Sequence, residues 1–225
     1  MASSHTKLSD FFYGVGLSNV PDPTFYWKCV EASGNLIDQQ GNLDITEVGT
    51  VPSSGVGRGI FTESNYFRVA TVADPLPWNW SSDSPVICSL KFNSTNTNDI
   101  ILEKQAGIKI STITKLINTV YYTTVQFEVG GVTLYGKSNI QDGVDHWIQL
   151  ASIGNKIRLY IDRVREFTVD NTISNTGIGA LAVGIGQAGS GNEYNGTVGK
   201  IFIKKSHEII DWNTMESVLI YLTSI

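Results

Sequence analysis

Three histidines, two cysteines and 21 acidic side chains are the groups from which catalysis or metal binding would have to be assembled. Nucleophilic catalysis needs a presented serine or cysteine beside a histidine base. Here His5 lies in the N-terminal segment, His146 opens a strand-like run and His207 follows Lys204-Lys205, with no G-x-S-x-G turn in the chain. All three read as surface histidines. A zinc site is equally unsupported, because neither Cys29 nor Cys88 has a second ligand two to five residues away. Calcium has one candidate loop: Asp38, Asn42 and Asp44 offer carboxylate and amide oxygens, the ligands this ion takes in sets of six to eight. The competing reading of that loop is an Asx-rich turn whose oxygens satisfy its own backbone. Carbohydrate recognition has two candidate loops. Trp78, Asn79, Trp80 and Asp83 place two indoles among prolines and polar groups, a pattern suited to stacking on a sugar face while holding its hydroxyls. The alternative is that the rings fold back and cap the core. The second loop, 187–194, is small and Gly-rich and supplies Asn192 and Tyr194, with a connection that binds nothing as the competing reading.

The elements that must carry these residues are strands. In Ile157-Arg158-Leu159-Tyr160-Ile161-Asp162 the apolar residues recur at every second position, predicting one face in a core and one in water. Trp147, Gln149 and Ala151 alternate with Ile148, Leu150 and Ser152 just before it, and Gly154-Asn155 supplies a two-residue turn, so His146–Asp162 reads as a hairpin. Residues 108–135 give ISTIT, VYYTTVQFEV and GVTLYG, three more antiparallel strands rich in β-branched and aromatic residues, with a turn at Gly130-Gly131. FYWKCV and PVICSLKF read as apolar strands that bury Cys29 and Cys88 as reduced thiols. The 22 glycines fit short strands joined by turns.

A net charge of −5, with 16 Lys plus Arg and no basic run, argues against nucleic acid as a partner. No stretch approaches the ~20 apolar residues of a membrane-spanning helix, and the N-terminus lacks the apolar run of a secretory signal. The sequons at Asn79, Asn93 and Asn195 therefore carry little weight. Residues 1–23 form a separate arm closed by Pro21-Asp22-Pro23; its Leu8, Phe11, Phe12, Tyr13 and Leu17 are too apolar for a solvated tail and are expected to anchor the chain, on its own domain or on another subunit. Residues 213–225 are expected to be a docking segment, with helix and strand both open.

The hairpin, a Trp opening one strand, a Gly-Asn turn and a strand ending LYID, resembles the central hairpin of laminin-G-like domains, members of the concanavalin A-like jelly rolls. Further matches follow in family order: Ser33-Gly34-Asn35 and Asp38-Gln39-Gln40-Gly41-Asn42; Gly57-Arg58-Gly59-Ile60-Phe61 with Asn65-Tyr66-Phe67-Arg68-Val69; the strand Val86–Phe92; Ile100–Lys104; then Ala180–Gly186 and Tyr194–Ile203. The resemblance covers roughly residues 24–212. It departs where the family has Gly after LYID and this chain has Arg163, and where the family often has an acidic residue and this chain has Gly199. What it implies is an all-β jelly-roll sandwich of two antiparallel sheets, with calcium often held on its rim. Glucanases of the same superfamily use an E-x-D-x-x-E strand, and the nearest run here, Asn42-Leu43-Asp44-Ile45-Thr46-Glu47, has an amide at the first position, which cannot act as a carboxylate nucleophile.

These observations lead to an expectation of a non-enzymatic structural or adhesion protein. The leading form is a virion component such as a phage capsid decoration, fibre or tail protein, assembled with other protein subunits or as a homo-oligomer. The alternative is a free lectin-like module that binds a surface glycan, at the cell surface or outside the cell by a non-classical route. A glycoside hydrolase ranks last, and no cofactor is expected beyond the candidate Ca²⁺.

Overall fold

The computed structural model describes residues 25–41, 43–53, 57–69, 78–79, 86–94, 98–104, 108–129, 132–153, 156–170, 176–177, 180–186 and 192–205. Within them the chain is all-β, built as two seven-stranded antiparallel sheets and a small ribbon. With strands numbered in chain order, the first sheet runs β1 (Phe25–Trp27), β16 (Gly196–Lys205), β6 (Val86–Ser94), β11 (His146–Ile153), β12 (Lys156–Ile161) and β13 (Val164–Asp170), and β3 (Arg58–Gly59) adds to β16. The second runs β10 (Val132–Tyr135), β9 (Val120–Val129), β8 (Ile108–Ile117), β7 (Ile100–Lys104), β15 (Leu181–Val183), β4 (Tyr66–Val69) and β2 (Thr46–Val48). The ribbon pairs β14 (Thr176–Gly177) with β5 (Trp78–Asn79). Neither sheet closes into a barrel.

The predicted hairpin forms as β11 and β12, paired from Ile148↔Ile161 to Ile153↔Lys156. That register leaves two residues for the turn, Gly154 and Asn155, which lie outside the described residues. Ile148, Leu150, Ile157, Leu159 and Ile161 face the second sheet and join Leu102, Ile108, Ile110, Val125 and Phe127 in one continuous core. Period-two alternation places these side chains on one face, and burial of that face drives the two sheets together. The opposite face departs from expectation. It is not simply in water, since Gln149 is 0% exposed and Tyr160 is buried. An aromatic layer lies on that side, with Tyr26 stacked on Phe202 at 4.3 Å and Phe202 6.2 Å from Trp147. Both side-chain atoms of the Gln149 amide are without a hydrogen-bond partner.

Two other expectations are refined. β1 ends at Trp27 instead of continuing through FYWKCV, because Cys29 takes a left-handed φ of 56° that no extended strand accommodates. Cys29 is buried and free, and burial pushes its thiol well above the ordinary range, so it is a packed, unreactive group. The corner after LYID keeps the positive φ that a glycine would favour, but builds it from Asp162 (49°) and Arg163 (70°). At Gly199 the ladder between β16 and β6 slips, with the register shifting between Val198 and Ile201. The arm, 1–23 with Leu8, Phe11, Phe12, Tyr13 and Leu17, and the segment 213–225 lie outside the described residues.

Candidate functional site

The candidate calcium loop is held together by its own backbone. Asp38 is buried; its Oδ1 accepts the amides of Tyr26 at 2.8 Å and Gln40 at 3.0 Å, and its Oδ2 accepts that of Leu43 at 3.0 Å. Asp44 Oδ1 in turn accepts the Asp38 amide at 2.9 Å. A carboxylate receiving three N–H groups is already satisfied, and here it fastens the loop to β1. Asn42 lies outside the described residues. Among the described residues no group of three or more His, Cys, Asp or Glu is placed to hold a metal ion.

The two candidate sugar loops fare differently. Trp78 and Asn79 form β5 and pair with Gly177 and Thr176, while Trp80 and Asp83 lie outside the described residues. Asn192 is exposed, with a φ of 54°, and its carbonyl accepts the Ile100 amide at 2.8 Å. Tyr194, expected on the rim, is instead a core residue: it is 0% exposed, its ring lies 6.1 Å from that of Phe61, and its amide bonds to the Gly184 carbonyl. A ring so enclosed offers no face to a ligand.

One groove opens beside these residues. About 320 Å³ in volume, it is lined by Pro52, Ser53, Gly59, Ile60, Asn195, Gly196 and Thr197. The pairing Gly59↔Thr197 between β3 and β16 brings its two sequence segments together. Ile60 is 68% exposed with φ at 59°, a left-handed conformation costly for a β-branched residue. Glycine is required at position 59, since a Cβ there would lie 2.9 Å from the Gly196 carbonyl oxygen.

What fixes this rim is Arg58. Fully buried, it pairs with Glu47, donates from Nε to the Val51 carbonyl at 2.9 Å and from Nη1 to the Glu31 and Gly34 carbonyls at 3.2 Å, and stacks over Phe67 at 4.9 Å. Glu47 also accepts the amides of Val51 at 2.8 Å and Gly34 at 2.7 Å. The sequence held no local sign of this hub, because its partners are up to 27 residues away.

Behind the groove, Asp99 Oδ2 accepts the Asn195 amide at 2.9 Å. Burial, opposed by that hydrogen bond and reinforced by Glu193, holds the Asp99 carboxyl above its ordinary range. Across β6, at the level where Val198 and His146 both pair with Phe92, lies a second charged cluster, about 10 Å from β16 by strand spacing. His146 is 5% exposed, contrary to the surface reading. Its Nδ1 sits 2.7 Å from Asp162 Oδ2 and its Nε2 2.9 Å from Asp142 Oδ1. The Asp162 bond raises its pKa against the opposing effect of burial, with Asp142 adding to the rise, and the same bond lowers the pKa of Asp142. Asp162 also accepts the Trp147 amide at 2.8 Å and donates its own to the Trp147 carbonyl, so the β12–β13 turn is locked to the start of β11.

No family model matches this chain, and no curated protein matches it. Solved structures do. Trypanosoma rangeli sialidase is similar over 86% of this chain and 32% of its own, with a TM-score of 0.57 and 10% identity. The same enzyme in complex with the inhibitor DANA gives 0.54 and 12% over the same shares. The Ruminococcus gnavus IT-sialidase CBM40 matches 61% of this chain and 83% of its own, with a TM-score of 0.44 and 13% identity. The chain spans about a third of the length of the sialidases, and identities this low speak to the fold alone. By that fold, the chain is an antiparallel β-sandwich.

Proposed function

We propose that this chain is a carbohydrate-binding module, without catalytic activity of its own, that receives a saccharide in the groove between residues 52–53 and 59–60 on one side and 195–197 on the other. The observation that carries the reading is the groove's chemistry: neutral hydroxyl and amide side chains from Ser53, Thr197 and Asn195 beside the exposed Ile60 and Pro52. Its volume falls in the ~300–1,000 Å³ range of small-molecule sites, and neutral polar groups with an apolar wall suit the hydroxyls and C–H faces of a sugar. The β-sandwich fold agrees with this reading, and the sequence pattern of hairpin and closing strands favours a concanavalin A-like, laminin-G-like member. The non-catalytic part rests on Asn42 at the first carboxylate position of the glucanase pattern and on the commitment of Asp38 to backbone amides and of Glu47 to Arg58. The virion reading rested on the lack of an export signal and of a catalytic set and on the arm 1–23, and no comparison supports it.

The test is a broad glycan array followed by calorimetry with the full chain. Binding is expected to disappear in Asn195→Ala/Thr197→Val while circular dichroism stays unchanged. A chain that binds no saccharide, or one that hydrolyses its ligand, would overturn the proposal.

A further inference from the structure

We infer that the groove is built for uncharged saccharides and discriminates against those carrying a carboxylate. This rests on the carbohydrate-binding reading and specifies its ligand class. An acidic sugar needs a cationic partner where it binds, most effectively a guanidinium able to grip a carboxylate with two parallel hydrogen bonds. Among the described residues, no Lys or Arg lines the groove. Arg58, adjacent in sequence to the groove-lining Gly59, is fully buried, and its guanidinium is engaged by Glu47 and by the Val51, Glu31 and Gly34 carbonyls. The neighbouring sequence segments 54–56, 95–97 and 187–191 contain neither Lys nor Arg.

Two carboxylates are tied to the wall of the groove. Asp99 holds the backbone of the groove residue Asn195 through its Oδ2, and Glu193 lies two residues before Asn195, close enough to Asp99 that the two carboxylates interact. Across β6, the Asp142–His146–Asp162 cluster carries two further carboxylates around one histidine. A ligand carboxylate entering the groove meets these negative charges, whereas a hydroxyl carries no charge for them to repel. Asp99 is thus a positioning residue for Asn195 and also a source of repulsion.

Matched pairs of oligosaccharides test this, each neutral member being compared with a form extended by a carboxylated sugar, at about 20 mM and about 200 mM salt. The neutral form is expected to bind roughly tenfold or more tightly at low salt, with the gap narrowing at high salt. Asp99→Asn keeps an acceptor for the Asn195 amide and removes the charge. It is expected to shrink the neutral-to-acidic ratio, and Glu193→Gln, at a residue outside the groove lining, is expected to shrink that ratio with neutral binding unchanged. A merely structural role for Asp99 would weaken both forms and leave the ratio fixed. Equal or tighter binding of the acidic forms overturns the inference and leaves the carbohydrate-binding reading standing. Binding that survives Asn195→Ala/Thr197→Val places the site elsewhere and overturns the inference, and an absence of binding to either form overturns both.

Discussion

The same end of the sandwich is held by two charged knots of opposite character. On the β3 side, Arg58 and Glu47 are paired out of water and surrounded by backbone carbonyls and amides. On the β11 side, His146 is enclosed but its two carboxylate partners reach solvent, with side-chain exposures of 45% and 46%. The first knot is built on a guanidinium, a group that in general keeps its proton over the range where proteins work. The second contains a group whose charge changes within that range. One end of the fold is therefore fastened by a permanent clamp and by a conditional one, and each draws in a partner more than ten residues away in sequence.

Breaking the permanent clamp should have the largest effect. Arg58→Ala leaves the Glu47 carboxylate enclosed without its cation and several carbonyls without donors, and an uncompensated buried charge of this kind costs ~3–5 kcal/mol. Chemical denaturation should show the loss as a lower midpoint, with groove binding lost in parallel. A midpoint within experimental error of wild type would show that the hub is not structural. Asp162→Ala, which removes the acceptor for the Trp147 amide and one partner of His146, should cost less, about 1–2 kcal/mol. Gly184→Ala provides a scale for comparison: a Cβ there would lie 2.0 Å from the Phe61 ring, in a backbone with φ at 84°. It should destabilise by ~1–3 kcal/mol or more through overpacking alone.

The conditional clamp should reveal itself in pH dependence. Folded His146 holds its proton more tightly than unfolded His146, because its pKa is raised above the ordinary value of 6.5. Its contribution is therefore complete below about pH 6.5 and is lost as pH rises through the raised folded value. Asp142 works in the opposite sense: its lowered carboxyl contributes above its ordinary value of 3.8, and that contribution is lost on acidification through the folded value. The denaturation midpoint should fall from about pH 6 to about pH 9, and the slope should flatten in His146→Gln but persist in Arg58→Ala. An NMR titration placing His146 at or below 6.5 would contradict the clamp. The smallest effect is expected from dialysis against a chelator, which should leave both the midpoint and glycan binding unchanged, since the Asp38 carboxylate is satisfied by backbone amides.

Much of the scaffold was legible because strand alternation is a local signal. The β11–β12 hairpin and the β8–β9–β10 meander follow directly from period-two patterns and short glycine-bearing turns. What alternation could not show was the second face of the first sheet, where Gln149 looks solvent-facing in sequence yet is buried. The site was less legible for a related reason. The groove joins residues 52–53 and 59–60 to 195–197 through a two-residue strand, β3, too short to leave a period of its own. His146 looked like a surface residue because its partners come from a loop and from the turn after LYID. Tyr194 sits in a Gly-rich run that suggests a rim, while the Y-x-G opening of a core strand was the sign of its burial. The Asp38 loop could be read in two ways from composition, and the geometry favours a turn that satisfies its own backbone.

The pairing of β1 with β16 has a mechanical consequence. Phe25 opens β1 and faces Ile203 near the end of β16, so the first and last strands of the described sandwich meet at one edge and at the same level. Tension applied to both flanks would pull across this ladder and part its hydrogen bonds one after another, instead of loading them all at once in shear. With only three paired residues in β1, the first strand should peel away at low force. A sandwich tethered from both sides would thus lengthen early under load, while one tethered from a single side would hold its shape.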